Sequence, residues 1–301
     1  MSSQRVRLGI NPLTWTNDDM PELGAETSLE TCLKEARQAG FEGVELGNKF
    51  PRTPEVLGPI LAPHGLSLVS GWYSSNLLER KVADEILAIE PHLHLLQTLG
   101  CGVLILAETT GAIHGDRKTG LSKRPVLPAS EWSRFGAALT QLAEHTLRRG
   151  VRLVYHHHMG TVVQTEEEID RLMASTGKAF SLLLDTGHLT YARGNPAAVA
   201  RRHGKRIAHL HAKDVRAKVL DGALAEDLPF LEAVLRGVFT VPGDGQVDYP
   251  AVLPELERAG YRGWAVVEAE QDPAKAHPLT YATMGHRNLS GLLDRAGFSG
   301  A

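Results

Sequence analysis

Short runs of apolar residues alternate with longer stretches of helical periodicity along almost the whole chain. Eight of these runs predict β-strands, at residues 6–10, 43–47, 66–71, 102–107, 151–156, 180–185, 206–211 and 263–268. Between them, apolar residues recur every three or four positions, as at Val82, Ile86, Ile89 and Leu93, which predicts amphipathic helices. Strands that are joined through helices run parallel, because a parallel pair needs a long crossover connection. The pattern therefore predicts an α/β chain of eight strand–helix units.

The number of units favours a closed (β/α)8 barrel, the TIM-barrel architecture, over an open doubly wound sheet. No GxGxxG follows the first predicted strand, so the dinucleotide-binding form of the open sheet lacks its fingerprint. Because no Pro-, Gly- or Ser-rich linker divides the chain, we predict one domain over residues 1–301. Two stretches, 109–128 and 215–242, predict long irregular loops after the fourth and seventh strands. In a barrel these loops lie at the C-terminal face, where active sites are built.

Local signals at the helix ends agree with this division. Thr27 and Thr165 each stand three residues before a glutamate, which is the capping-box spacing, and Asn195 precedes a proline that can occupy the first helical position. Glycines such as Gly40 and Gly204 stand between a helix and the next strand, where a left-handed backbone is common. We therefore predict that helices begin directly after Thr27, Thr165 and Asn195. We also predict a left-handed backbone at Gly40 and Gly204.

Composition and charge exclude several classes of partner. The 301 residues are 43% hydrophobic and carry a formal net charge of −3, which disfavours a nucleic-acid groove or a membrane surface. The only cysteines, Cys32 and Cys101, form no CxxC motif and no disulfide framework. The N-terminus has no apolar signal core, and no apolar run approaches about 18 residues. We expect a cytoplasmic protein, and a homo-oligomer is compatible with the sequence.

Residues able to bind a metal concentrate at the ends of the last four predicted strands. Asp185 ends the sixth strand, His211 the seventh and Glu268 the eighth. Strand ends of a barrel meet at one rim, so we predict that these three hold a divalent cation of the Mn, Co, Fe or Zn kind. Calcium would require more oxygen ligands. The fifth strand ends in three histidines, and we predict a fourth ligand among them, taking His158 as the ligand and His156 as catalytic.

A cation at this rim suits chemistry on a hydroxy-ketone, because it polarises the carbonyl and stabilises the enediolate that follows loss of the adjacent proton. We predict that Lys213, His188 and His156 transfer protons, without assigning acid and base. Repulsion by the cation is expected to favour the neutral amine of Lys213. Further residues near strand ends are predicted to bind a polyhydroxylated substrate: Trp15, Asn17, Asp18, Glu45, Trp72, Glu108, Asp214, Arg216 and Glu270.

The motifs at these strand ends resemble those of the xylose isomerase-like superfamily of sugar isomerases, epimerases and dehydratases. The matching segments are LLDTGH at 183–188, HLHAKD at 209–214 and VPGDGQVDY at 241–249. Three finer segments, WTNDDMPELG at 15–24, HHHMGTVVQT at 156–165 and EAEQDPAKAHP at 268–278, are similar to the inosose dehydratase family. The resemblance covers the whole predicted barrel, with each motif in order at a strand end.

The resemblance implies dehydration of 2-keto-myo-inositol to a trihydroxycyclohexanedione in inositol catabolism, with Mn or Co and with glutathione. It also implies the metal role of Asp185, His211 and Glu268 and a substrate contact for His188. Many members of the superfamily have a glutamate at the end of the fifth strand, where this chain has His156. The change disfavours a two-carboxylate epimerase and fits an elimination, which needs one base and one acid.

Three other functions remain as alternatives. A keto-sugar isomerase or epimerase would use the same cation and enediolate but conserve water. A DNA-repair enzyme of the endonuclease IV type would need a multi-zinc cluster and a basic face, which the acidic balance disfavours. A non-catalytic sugar-binding barrel would bind ligand without turnover.

Overall fold

Eight parallel strands close into a barrel in the computed structural model, which describes residues 5–298. Around the barrel the strand order is β1, β2, β3, β4, β5, β6, β7 and β10, and β10 pairs with β1 to close it. The eight predicted strands and the barrel are confirmed. The strands are β1 Arg7–Ile10, β2 Gly43–Leu46, β3 Ser67–Ser75, β4 Val103–Glu108, β5 Arg152–His156, β6 Ser181–Asp185, β7 Ile207–Ala212, β8 Asp214–Val215, β9 Phe239–Thr240 and β10 Trp264–Val267.

Helices connect the strands and cover the outside of the barrel. Within the described range they are α1 Leu29–Ala39, α2 Pro54–Leu61, α3 Val82–Thr98, α4 Trp132–Arg148, α5 Glu166–Ser175, α6 Thr186–Tyr191, α7 Pro196–His203, α8 Ala217–Ala225, α9 Phe230–Leu235, α10 Tyr249–Arg258 and α11 Pro278–Arg295. Single 3-10 turns occur at Pro12–Thr14, Ala62–His64, Leu121–Lys123 and Gly204–Arg206. Over residues 5–298, no helix combines the length and the apolar character that crossing a membrane requires.

Most of the capping predictions are confirmed. The Thr165 side chain caps α5 in a reciprocal capping box with Glu168, and Asn195 caps α7 ahead of a proline. The prediction for Thr27 is wrong by one residue, because Ser28 accepts the hydrogen bond that caps α1. Gly40 has the expected left-handed backbone, with φ of 107°. Gly204 does not, with φ of −49°, because it continues into a 3-10 turn.

The core has an outer and an inner part. Outward-facing strand residues such as Leu153 and Leu210 pack with the surrounding helices in one large apolar cluster. Inside the barrel, the buried residues Ile105, Val154 and Leu183 form a small separate cluster. Strand register places Asp185 beside His211, and His211 beside Val266. The parallel register therefore brings the polar ends of β6, β7 and β10 to one height.

The connection from β7 to β10 is more ordered than predicted. The stretch 215–242 was expected to be irregular, but it contains α8 and α9, and β8 pairs with β9 in an antiparallel arrangement. Phe230 and Phe239 from this connection join Met20, Met159 and Tyr191 in a second buried cluster. The prediction misses these elements because their apolar residues bury against the barrel's loops rather than against its strands. The stretch 109–128 does contain only one 3-10 turn, Leu121–Lys123.

Candidate metal centre and substrate cavity

Asp185, His211 and Glu268 meet at the C-terminal rim of the barrel, as predicted. The Asp185 Oδ1 atom accepts a hydrogen bond of 2.7 Å from His188 N and so caps α6. This leaves Asp185 Oδ2 directed to the rim, 3.6 Å from His211 Nδ1, which is itself in direct contact with Glu268 Oε2. All three side chains are buried. Burial opposes ionisation of Asp185, but the charge of Lys213 holds its pKa well below the ordinary value.

Glu45 fixes the orientation of His211 from the opposite side of the ring. Its Oε1 accepts hydrogen bonds from His209 Nε2 at 2.9 Å, His211 Nε2 at 3.1 Å and Ser70 Oγ at 2.5 Å, and its Oε2 accepts one from Asn11 Nδ2 at 2.7 Å. Burial opposes its charge, yet His211 and His209 hold the pKa of Glu45 well below the ordinary range. Glu45 thus holds the Nε2 side of the His211 ring and leaves Nδ1 facing the rim; burial opposes the charge of His211, but Glu268 and Glu45 raise its pKa well above the ordinary value.

The histidines that end β5 divide between two environments. His156 Nε2 lies 3.4 Å from Asp185 Oδ2, and the ligand atoms of His156, Asp185, His188 and Glu268 all lie within 4.8 Å of one another. His158, predicted as the fourth ligand, is not in this group, and its Nδ1 bonds the carbonyl oxygen of Met159 at 2.8 Å. The structure therefore brings His156 and His188, rather than His158, within ligand distance of Asp185 and Glu268, while His211 groups with Glu45 and His209.

Lys213 and His188 form a buried pair immediately behind the rim. Lys213 Nζ lies 2.7 Å from Glu268 Oε1 and 3.0 Å from His188 Nε2, while His188 Nδ1 accepts a hydrogen bond from Met159 N at 3.3 Å. Burial lowers the pKa of Lys213, but the charges of Glu268 and Asp185 raise it above the ordinary value overall. The two carboxylates thus favour the charged form of Lys213, whereas a cation was expected to favour its neutral amine. Neither Lys213 nor His188 is among the residues that line the cavity described next.

A cavity lined by both apolar and polar side chains adjoins this group. Trp72 lies within β3, not after it as predicted, and its ring centroid is 5.4 Å from that of His156 and 5.7 Å from that of His158. Of the predicted substrate-binding residues, Asp18, Glu45, Trp72 and Glu270 line the cavity. The full lining is Asn11, Leu13, Asp18, Asp19, Glu45, Leu46, Ser70, Trp72, Ser74, Ile105, His114, His156, His158, His211, Glu268 and Glu270.

Two acidic residues of the lining are held by neighbouring polar groups. Asn17 Nδ2 donates to Glu270 Oε1 at 3.0 Å, so Asn17 supports a lining residue but does not itself line the cavity. Asp18 accepts a hydrogen bond from Asn48 N at 3.2 Å. Burial raises the pKa of Asp18 and raises that of Glu270 to about 7. These acids suit contacts with hydroxyl groups.

Trp15 and Glu108, predicted to bind substrate, lie outside the cavity lining. Trp15 is buried and donates through Nε1 to Glu35 at 2.6 Å. Glu108 accepts hydrogen bonds from Leu77 N at 2.8 Å and Thr110 N at 2.9 Å, which fix the turn after β4. Both predictions are corrected, because each polar group is already paired with the scaffold.

Asp214 and Arg216 also lie outside the lining. The carboxylate of Asp214 accepts backbone N–H groups of Gly243 and Val247, both at 2.9 Å. The Arg216 guanidinium donates to carbonyl oxygens in the β8–β9 region and lies 3.0 Å from Asp244. Their position after a strand end resembles that of Asp185, but they tie the β7–β10 connection together rather than face the cavity.

Sequence reasoning missed several polar residues of the lining, among them His114 and Asn11. Asn11 follows β1 directly and holds Glu45, so its place at a strand end was an available signal. His114 lies in the irregular stretch between β4 and α4, as an isolated histidine without a strand-end position. The length of that loop was the only indication that one of its residues reaches the barrel mouth.

The rim residues fit a divalent cation. Asp185 Oδ2 is buried and has no hydrogen-bond partner in the described part of the chain, and His156 Nε2 and His211 Nδ1 lie 3.4 and 3.6 Å from it. Buried polar atoms are normally paired, so a buried carboxylate oxygen without a hydrogen-bond partner, beside two imidazole rings, indicates a missing positive group. Carboxylate oxygens with imidazole nitrogens are the donors that Mn, Co, Fe and Zn accept. The buried His, Asp and Glu residues could therefore bind a divalent metal.

Comparison with known proteins agrees with the fold. The family model of the xylose isomerase-like TIM barrel matches residues 33–287. The rhizopine catabolism protein MocC of Rhizobium meliloti is 53% identical over 99% of this chain and 91% of its own length. An inosose dehydratase of Geobacillus thermodenitrificans is 46% identical over 92% of this chain and 94% of its own.

Among solved structures, the crystal structure of the IOLI protein with a zinc atom has a similar fold. It matches with a TM-score of 0.72 over 98% of this chain and 100% of that chain. At 15% sequence identity, the similarity extends to the fold alone.

Proposed function

Because this chain belongs to the xylose isomerase-like TIM-barrel family, we propose that it is a hydro-lyase that removes water from an inosose in inositol catabolism. The observation that carries the proposal is its similarity to inosose dehydratases, at 40–46% identity over 92–96% of the chain. Its higher identity to MocC, at 53%, makes a ketone derived from rhizopine catabolism a second candidate substrate.

In this reaction a carbon next to the ketone loses its proton, and the electron pair of that C–H bond forms a carbon–carbon double bond. The hydroxyl group on the far carbon of the new bond leaves and takes up a proton, so that one water is released and nothing is oxidised or reduced. The protein must therefore accept one proton, donate another and stabilise the charge between the two events.

Asp185, His211, Glu268 and His156 would hold the divalent cation, with Mn or Co implied by the family resemblance and Zn or Fe as further options. A cation bound there would supply polarisation of the ketone and stabilisation of the negative charge that develops on its oxygen. Glu45 supports this arrangement by fixing the tautomer of His211, since a carboxylate that binds the second ring nitrogen raises the basicity of a ligand histidine.

We assign proton transfer to Lys213 with His188. Lys213 and His188 do not line the cavity, but Lys213 Nζ is one hydrogen bond from His188 and one from Glu268, which does line it, so a proton can pass between this pair and the cavity through Glu268. Asp18 and Glu270 are assigned to substrate hydroxyl groups, and the ring of Trp72 to the apolar C–H face of the cyclic substrate.

The test is turnover of 2-keto-myo-inositol by protein loaded in turn with Mn, Co, Zn and Fe, followed by product absorbance and mass. We expect a product that is lighter by one water, and no product from an Asp185→Asn variant that folds normally. A product of unchanged mass would instead identify an isomerase or epimerase. Absence of turnover with every metal would remove the proposal, and addition of glutathione to dialysed protein tests the remaining cofactor implied by the resemblance.

A further inference from the structure

His114 enters the substrate cavity from the loop between β4 and α4, not from a strand end. Its ring centroid lies 5.2 Å from that of His158, at an interplanar angle of 69°. The Nδ1 atom of His114 is buried, and residues 5–298 supply no hydrogen-bond partner for it. Leaving a buried polar nitrogen unpaired is costly, so packing alone does not explain an imidazole at this position.

The loop that carries His114 is held against the β5–α5 loop. Ile113 N donates to the carbonyl oxygen of Gly160 at 3.0 Å. Gly160 has φ of 78°, and a Cβ added there would lie 2.9 Å from His114 N. Glycine at 160 therefore permits the close approach of the two loops, and this approach fixes where the His114 ring stands.

His114 is not a candidate metal ligand, and the ring of His158 stands between it and His188. It is in neither of the two groups of metal-binding side chains found in the described residues, and the ring it contacts, His158, is outside them as well. A hydroxyl group of a cyclic polyol both donates and accepts hydrogen bonds, so it can satisfy the unpaired nitrogen in either tautomer.

We propose that His114 is a specificity-determining substrate contact that hydrogen-bonds a ring hydroxyl remote from the carbons that react. The inference rests on the proposed function and deepens it. A contact of this kind binds the substrate and the transition state equally, so its loss raises KM and leaves kcat nearly unchanged. A residue with a purely structural role would not distinguish between hydroxyl positions.

The experiment compares wild type, His114→Phe and His114→Asn on an inosose and on a series of its monodeoxy analogues. Loss of the partner of a buried hydroxyl is expected to raise KM about 5- to 100-fold in His114→Phe, with kcat changed by less than about threefold, and His114→Asn should restore part of the loss. For a single analogue, which lacks the contacted hydroxyl, wild type and His114→Phe should have the same KM. His94→Asn, at an exposed position on α3, is the control.

A second variant moves the ring without changing it. Gly160→Ala should raise KM in the same way, because its Cβ pushes on the backbone of the His114 loop. Gly65→Ala is the matched control, since Gly65 has φ of 62° and nothing within 4 Å of an added Cβ. Both variants place an alanine in a left-handed backbone, so a KM effect confined to Gly160→Ala reports displacement of the loop.

An unchanged KM in His114→Phe, or equal losses for every analogue, would overturn the inference. If wild type dehydrates no inosose, the proposed function fails separately, and calorimetric binding of inosose and myo-inositol to wild type and His114→Phe then decides the role of His114. Weaker binding by the variant supports the contact, whereas equal binding or none to either protein overturns it.

Discussion

Glu45 should control how tightly the cation is held, although it stands behind the ligands. In Glu45→Gln, a neutral amide replaces a carboxylate that accepts four hydrogen bonds. The remaining oxygen can serve His209 and His211, but the new NH2 group then faces the amide of Asn11. Asn11 cannot simply turn over, because its Oδ1 already accepts from Leu13 N at 2.9 Å.

The loss of charge next to His211 sets the magnitude. Changes to a group that orients a ligand histidine lower metal affinity about 10- to 100-fold, which corresponds to about 1.4–2.7 kcal/mol. We therefore expect the affinity of Glu45→Gln for Mn or Co to fall about 10- to 100-fold. At saturating metal the variant should recover most of its activity. The His211 backbone should remain in place, because β10 and β6 pair with β7 on its two sides.

Calorimetric titration of metal into the apo protein measures this change directly. Glu55→Gln, at an exposed position on α2, removes the same charge far from the rim and serves as control. Thermal unfolding without metal shows whether Glu45→Gln is folded. A folded Glu45→Gln variant that binds metal as tightly as wild type would refute the role of Glu45 in orienting His211.

Three further perturbations test other parts of the structure. Saturating Mn or Co should stabilise the fold, by about 2.7 kcal/mol at a hundredfold excess over Kd, and EDTA should reverse the rise in Tm; an unchanged Tm would contradict a cation at the rim. Gly187→Ala places a Cβ 2.4 Å from Lys213 Cγ. The clash should cost about 1–3 kcal/mol, more than the roughly 1 kcal/mol by which alanine favours a helix over glycine, and the displaced Lys213 should reduce kcat. A stabilised, fully active variant would show that the Lys213 side chain can move aside without loss of function. Thr165→Ala removes the capping box of α5 and should lower the free energy of unfolding by about 1 kcal/mol without affecting KM, as measured by urea denaturation.

The barrel and the convergence of Asp185, His211 and Glu268 were predictable because both follow from regular geometry. Parallel strands of similar length place their carboxyl ends at one rim, so a residue's position at a strand end predicts its neighbours across the barrel. No detail of side-chain packing is needed for that step. The roles predicted for these residues depend on more than position, and the metal titrations above test them.

Side-chain partners could not be predicted in the same way. His156, not His158, lies beside Asp185, and the His158 ring instead bonds the Met159 carbonyl oxygen. A run of three histidines does not indicate which ring takes which partner. His114 is brought to the cavity by a contact between two loops, made through Gly160. Such contacts depend on loop conformation, which hydrophobic periodicity does not describe.

Unused hydrogen-bonding capacity separates the residues of the site from those of the scaffold. Asp185 and Asp214 both end or follow a barrel strand, and both cap backbone N–H groups with Oδ1. In Asp214 the second oxygen accepts from Gly243 N, whereas Asp185 Oδ2 has no hydrogen-bond partner among the described residues. A carboxylate whose oxygens are both paired with backbone has nothing left for a ligand. One that is buried with an oxygen unpaired requires a cation, a proton or a substrate to complete it, and this requirement, more than position at a strand end, marks Asp185 as part of the site.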